Sequence, residues 1–212
     1  MGFLNITLDA VIDKLLILPG ILIGICFHEF AHAYVSDRLG DPTPRRQGRV
    51  TLNPAAHLDP IGFLTLLLIG FGWGKPVEID PSYYKDRRKG EFMVGIAGVT
   101  MNLIIAVLVS ILIRVLALVI SPATLSNPVM YSIDQILVDI VVINLVLMIF
   151  NLIPCPPLDG WGLLTQIFRL DRFDWWYQVY RYGIYILLGL IIFNVTDMII
   201  TPLVSALAGI LL

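Results

Sequence analysis

Three residues near the start of the chain are spaced for metal chemistry. His28-Glu29-Phe30-Ala31-His32 is an HExxH sequence inside an apolar, helix-forming run. Residues four apart on a helix share a face. Two imidazoles placed so can bind one Zn2+, and the intervening carboxylate can reach a water at the metal as general base. With three histidines in 212 residues, chance is a weak competitor. A metal-free polar cluster competes weakly too. Ionisable groups at the centre of a membrane helix cost roughly 2.5–3.5 kcal/mol for Asp, Lys or Arg, so Glu29 beside two histidines needs a reason.

A catalytic zinc takes three protein ligands and keeps one position open. Cys26 lies two residues before His28, about 200° around the helix, and faces away. His57, Glu78 and Glu91 fall in loops. Asp159 ends the run Asn151-Leu-Ile-Pro-Cys-Pro-Pro-Leu-Asp-Gly160, where prolines unwind the backbone and glycine permits close approach. Spacing alone leaves Asp159 open between metal ligand and N-cap of a short helix over 161–169.

The elements that must position these groups are membrane helices. Hydrophobic residues make up 58% of the chain and charged residues 14%, against about 25% charged in soluble domains. That excludes an ordinary soluble protein, a disordered chain and a disulfide scaffold. The net charge of −2 gives no global basic field, so no nucleic-acid partner is expected. No basic residue precedes Lys14, so no cleavable signal peptide is expected. Apolar runs cover residues 11–35, 92–120, 133–153, 178–193 and 198–212, with a short one at 61–73. About 20 residues cross the hydrocarbon, so 61–73 suits a re-entrant or interfacial piece. The expected fold is an all-α polytopic membrane protein. It has about five to six membrane helices plus a short re-entrant or strand-like segment. Residues 1–212 form one domain, with a catalytic core at about 11–170 and C-terminal helices at 178–212.

Charge sets the orientation. Residues 36–91 carry nine of the fourteen Lys and Arg, the loop 154–177 adds Arg169 and Arg172, and 121–132 has none. The positive-inside rule places loops 36–91 and 154–177 in the cytoplasm of a multi-pass cell-membrane protein. They share a side only if 61–73 does not cross. The same topology brings Asp159 to the membrane side where His32 lies, and so favours it as third ligand.

These motifs resemble the site-2 proteases, zinc-dependent intramembrane metallopeptidases. The likeness rests on HExxH in a membrane helix with the downstream Asn-x-x-Pro-x-x-Pro-Leu-Asp-Gly. It extends to Gly40-Asp-Pro-Thr-Pro, to Gly48-Arg-Val-Thr-Leu-Asn-Pro54 with His57-Leu-Asp-Pro-Ile-Gly62, to Gly72-Trp-Gly-Lys-Pro-Val77 and to Ala97-Gly-Val-Thr-Met-Asn102. The match is to the compact bacterial and archaeal branch and covers roughly residues 20–165. It implies one Zn2+ per chain held by His28, His32 and Asp159, with Glu29 as general base. It also implies that Asn102 helps hold the substrate carbonyl or the developing oxyanion. The residues alone suggest for Asn102 an interhelical hydrogen bond, worth about 0.6 kcal/mol in membranes. Val99 stands where the family often has Pro, and Cys155 where it often has an aliphatic residue.

The implied activity is peptide hydrolysis within the membrane, with membrane-protein substrates and the lipid bilayer as partners. Two other classes compete: a catalytically silent adaptor, which has no reason to keep Glu29, and a metal transporter, which favours inverted repeats not visible here. Loop packing is expected for His57, an ordinary helix contact for Asn144 and a small buried hydrophobe for Cys155. Arg114 and Asp139 are expected to snorkel. Trp175, Trp176, Tyr177 and Tyr180 read as an interfacial belt. Segment 61–77 is open between a strand edge for substrate and a structural plug.

Overall fold

The computed structural model describes residues 8–69, 72–121 and 127–212, with side chains from Leu15 onward and excluding 67–69. The tip of the expected re-entrant run (70–71) and residues 122–126 of the 121–132 loop lie outside the described residues. Eight α-helices are described: α1 (Leu8–Arg38), α2 (Thr43–Arg46), α3 (Pro60–Ile69), α4 (Arg87–Val119), α5 (Pro128–Leu152), α6 (Asp159–Phe168), α7 (Asp174–Ile192) and α8 (Val195–Leu211).

Three of them are long and apolar enough to cross a membrane: α1 from Leu15, α4 and α5. Helices α7 and α8 meet at a 70° bend and make a fourth if the pair is one span. The expected five to six spans thus become three to four among the described residues. Helices α7 and α8, of 19 and 17 residues, count only as a bent pair, and α3, with ten residues, is shorter than the roughly 20 that a span needs.

Helices α1, α4 and α5 pack on one another in all three pairings, and α8 lies against α5. Lipid tails are as apolar as leucine, so close approach and polar contacts must hold such a bundle together. The shared core accordingly mixes Val99, Ala106, Val141, Leu145 and Met148 with the buried polar residues Asn102, Ser110 and Asn144. At the far end of α4, Arg114 donates to the carbonyls of Ile210 and Leu211, capping α8 where snorkelling alone was expected.

The segment after α2 turns back on itself. Helix α3 runs in and the chain returns, so that Leu58 forms an isolated antiparallel bridge with Gly74, and Lys75 N–H donates to His57 O at 2.7 Å. Both ends of the segment therefore lie side by side, as a re-entrant piece requires. Its body is a helix; the strand-like character is confined to that one bridge among the described residues. A Cβ on Gly62 would overlap the carbonyl of Trp73, so the two limbs can close only on glycine.

The return limb is tied down from two sides. Buried Arg49 donates to the carbonyls of Ala56, Lys75 and Pro76. Fully buried Asp41 accepts from Ser36 Oγ at 2.8 Å and from the backbone N–H groups of Thr43 at 2.8 Å and Asp80 at 2.7 Å. Ser36 Oγ also meets the Tyr84 hydroxyl at 2.7 Å. One carboxylate thus joins the end of α1, the turn after it and the approach to α4.

Candidate metal centre

Helix α1 presents His28 and His32 on one face, as their spacing requires, and both are buried. Asp159 arrives from the start of α6. The N-cap position of α6 is Leu158, without a side-chain cap, so Asp159 is not the cap that spacing alone allowed. Its carboxylate turns to the two imidazoles. Asp159 Oδ2 lies 3.2 Å from His28 Nε2 and 3.3 Å from His32 Nε2, and the two Nε2 atoms are 3.0 Å apart.

The protonation of this triangle follows from its surroundings. His32 Nδ1 lies 2.7 Å from Val94 O, a pure acceptor, so Nδ1 carries the proton. Asn144 Nδ2 donates to Ile140 O at 2.8 Å, which leaves Asn144 Oδ1 to accept from Asn102 Nδ2 at 3.0 Å. Asn102 Nδ2 also donates to Gly24 O at 3.1 Å. Asn102 Oδ1 therefore faces His28 Nδ1, at 2.7 Å, and that nitrogen too carries its proton. In the neutral imidazoles both Nε2 atoms are then lone pairs, set against a carboxylate.

Three acceptors facing one another at such distances repel unless a cation lies among them. Asp159 Oδ2 is buried with no hydrogen-bond donor. Tetrahedral zinc with bonds of about 2.0–2.1 Å has ligand–ligand edges of about 3.3–3.4 Å, close to the triangle observed. Two imidazoles and one carboxylate are also a donor set of catalytic zinc. The residues present fit the metal. The positive end of α6 favours a charged carboxylate at Asp159.

Helix α4 closes the back of the site. A Cβ on Gly98 would lie 2.5 Å from both His28 Cε1 and His32 Nε2. Only glycine lets α4 approach the imidazoles this closely, and that approach delivers Val94 O and Asn102 to the two Nδ1 atoms.

Glu29 lies on the next face of α1, where its Oε2 accepts the backbone N–H of Val77 at 3.1 Å. The return limb therefore rests on the candidate base. Asn102 is brought to the site, but behind His28: it is fully buried and both its amide hydrogens are committed. In this arrangement it orients the His28 imidazole and offers no free donor to an oxyanion. Asn144 was expected to be an ordinary helix contact, yet it fixes the orientation of Asn102. Its only sequence signal was an amide in the middle of an apolar helix.

The remaining candidates lie elsewhere. His57 packs in the loop, fully buried, with Nε2 donating to Thr51 O at 2.7 Å. Cys26 is buried away from the ligand face. Cys155 Sγ contacts Pro156 O and Gly183 O and is not in the His28, His32 and Asp159 cluster. Gln47 engages Glu78, and Arg87 and Gln166 engage Glu91. Trp175, Tyr177 and Tyr180 are exposed, as a belt would be, while Trp176 Nε1 donates to Thr165 Oγ1 on α6 at 2.9 Å.

Comparison with known proteins agrees with this geometry. The model of peptidase family M50, the site-2 protease family, matches residues 16–190. The chain is 34% identical over 189 residues to "Putative zinc metalloprotease YwhC" of Bacillus subtilis, covering 88% of this chain and 84% of that protein. It is 35% identical over 156 residues to a relative of the same description, Rip2 of Mycolicibacterium smegmatis, covering 71% of this chain and 56% of the relative. Rip2 of Mycobacterium tuberculosis is 28% identical over 160 residues, with 73% and 58% covered. No solved structure matches the chain. The chain belongs to peptidase family M50 and is a zinc metalloendopeptidase of the membrane.

Proposed function

We propose that this enzyme cleaves peptide bonds of membrane-spanning substrates within the membrane, using one zinc per chain. The observation that carries the reading is the buried His28–His32–Asp159 triangle, built on a membrane helix. His28 lies ten residues before Arg38, the last residue of α1, or about 15 Å along the helix axis. The reaction is thereby set well inside the bilayer rather than at its surface.

Zinc held by His28, His32 and Asp159 supplies Lewis-acid polarisation of the scissile carbonyl and of the attacking water. Glu29 accepts the proton of that water and passes it to the leaving nitrogen. Val77 N–H occupies Oε2 and leaves the other carboxylate oxygen for this transfer. Asn102 and Val94 hold the imidazoles in one tautomer and one orientation, as partners of metal ligands commonly do. An oxyanion role for Asn102 requires one Nδ2–H to leave Gly24 O or Asn144 Oδ1 and turn toward the substrate. A helical substrate must locally unwind, because its own hydrogen bonds shield its peptide groups. Loops 36–91 and 154–177 lie on the cytoplasmic side in this reading, and the polar route for water opens from there.

The test is turnover of a reporter fused to a membrane-spanning segment, in proteoliposomes, by wild type and Glu29→Gln. Cleavage by wild type that disappears in Glu29→Gln, with zinc retained, supports the assignment. Equal cleavage by both would remove Glu29 as the base. No cleavage across a broad set of membrane segments, with zinc bound, would favour a silent adaptor. Zinc uptake into the same vesicles would favour a transporter.

A further inference from the structure

A cavity of about 740 Å3 opens between the start of α4 and the end of α6, and none of the candidate metal ligands lines it. It is lined by Asp86, Arg88, Lys89, Phe92, Met93, Gln166, Ile167 and Arg169. Three basic side chains stand against one acidic. Asp86 is already engaged, as N-cap of α4 and in an ion pair with Lys89. Glu91 nearby is held by Arg87 and Gln166. Arg88 donates to the carbonyls of Gln166 and Ile167, so it braces the cavity wall.

We propose that this cavity binds an anionic phospholipid, with its phosphate among Arg88, Lys89 and Arg169 and its acyl chain along Phe92, Met93 and Ile167. Two observations favour a lipid. The first is depth. Residues 92–113 of α4 carry no charge, and these 22 residues span about 33 Å, close to the hydrocarbon thickness of about 30 Å. Arg88 and Lys89 therefore lie at headgroup level, and the apolar part of the lining begins where the hydrocarbon does. Met93 and Ile167 are each 49% exposed and face outward where a chain would lie. The second is Arg169 itself. It ends α6 in the left-handed conformation, at φ 55° and ψ 46°, a position glycine fills without strain. Here an arginine takes it, and that arginine lines the cavity.

The test uses the full chain in a neutral detergent, given equimolar phosphatidylglycerol and phosphatidylcholine, with bound lipid read by native mass spectrometry. Wild type should retain the anionic lipid preferentially. Each basic side chain near an anionic surface is worth about five-fold, so the double variant Lys89→Gln with Arg169→Gly should lose about 25-fold of that preference. Glycine relieves the left-handed position, so the variant should keep its zinc content and melting temperature. An unchanged preference in the variant, or no preference in wild type, would overturn the proposal. Displacement of the lipid by glycerol phosphate would overturn it too, because a soluble phosphate would then be the ligand.

Discussion

Adding one methyl group at Gly98 should disable the metal site from behind. The Cβ of Gly98→Ala would lie 2.5 Å from His28 Cε1 and His32 Nε2, against a favourable contact distance of about 3.5 Å. One partner must yield by about 1 Å, whereas metal sites tolerate about 0.2 Å. The loss should exceed the 10–100-fold typical of damage to ligand supports. Zinc affinity should therefore fall by at least about 100-fold, or about 2.7 kcal/mol. Affinity would be read by competition with a chelator of known strength, in detergent, with melting temperature measured beside it. Overpacking should also cost the metal-free protein about 1–3 kcal/mol. Gly95→Ala is the control: its Cβ would lie 3.4 Å from Leu163 Cδ2, away from the imidazoles, so zinc should be retained. Wild-type zinc affinity in Gly98→Ala would refute the close approach of α4 and the support it gives to both histidines.

Further outcomes follow from the same contacts. Asn102→Ala should weaken zinc binding about 10–100-fold, and Asn144→Ala should do so less, because it acts only through Asn102; chelator competition ranks the two. Asp41 is held below the usual carboxylate range: burial opposes its charge, but hydrogen bonds from Thr43, Asp80 and Ser36 outweigh it. Its stabilisation is therefore present above the unfolded value near 3.8 and fades as pH falls through the lower folded value. Thermal melts against pH should show that acid loss in wild type and a flatter profile in Asp41→Asn. Arg49→Lys cannot reproduce the guanidinium fork and should cost about 1.5–3 kcal/mol. Limited proteolysis should then cut the 72–80 segment faster.

The candidate ligands on α1 were legible because HExxH is local: a helix alone sets the two imidazoles on one face. Asp159 was legible through topology, since charge bias and metal geometry both required 61–73 to turn back. The supports behind the ligands were not legible. Val94 contributes a backbone carbonyl, which any residue has, and Gly98 contributes the absence of a side chain. Asn144 acts only through Asn102, across three helices. Val77 on Glu29 and Arg49 on the return limb are likewise backbone contacts set by tertiary packing. The described residues show three to four candidate spans against the five to six expected, because length and apolarity in the sequence do not register the 70° bend that joins α7 and α8 into one pair.

The central claim is that one zinc joins α1 to the start of α6. Its most direct test is zinc per chain in purified wild type, His32→Ala and Asp159→Ala, each shown to be folded by its melting transition. One zinc in wild type and a sharp loss in both variants is the expected result. Full zinc in folded Asp159→Ala would contradict it, because the metal would then be held without α6.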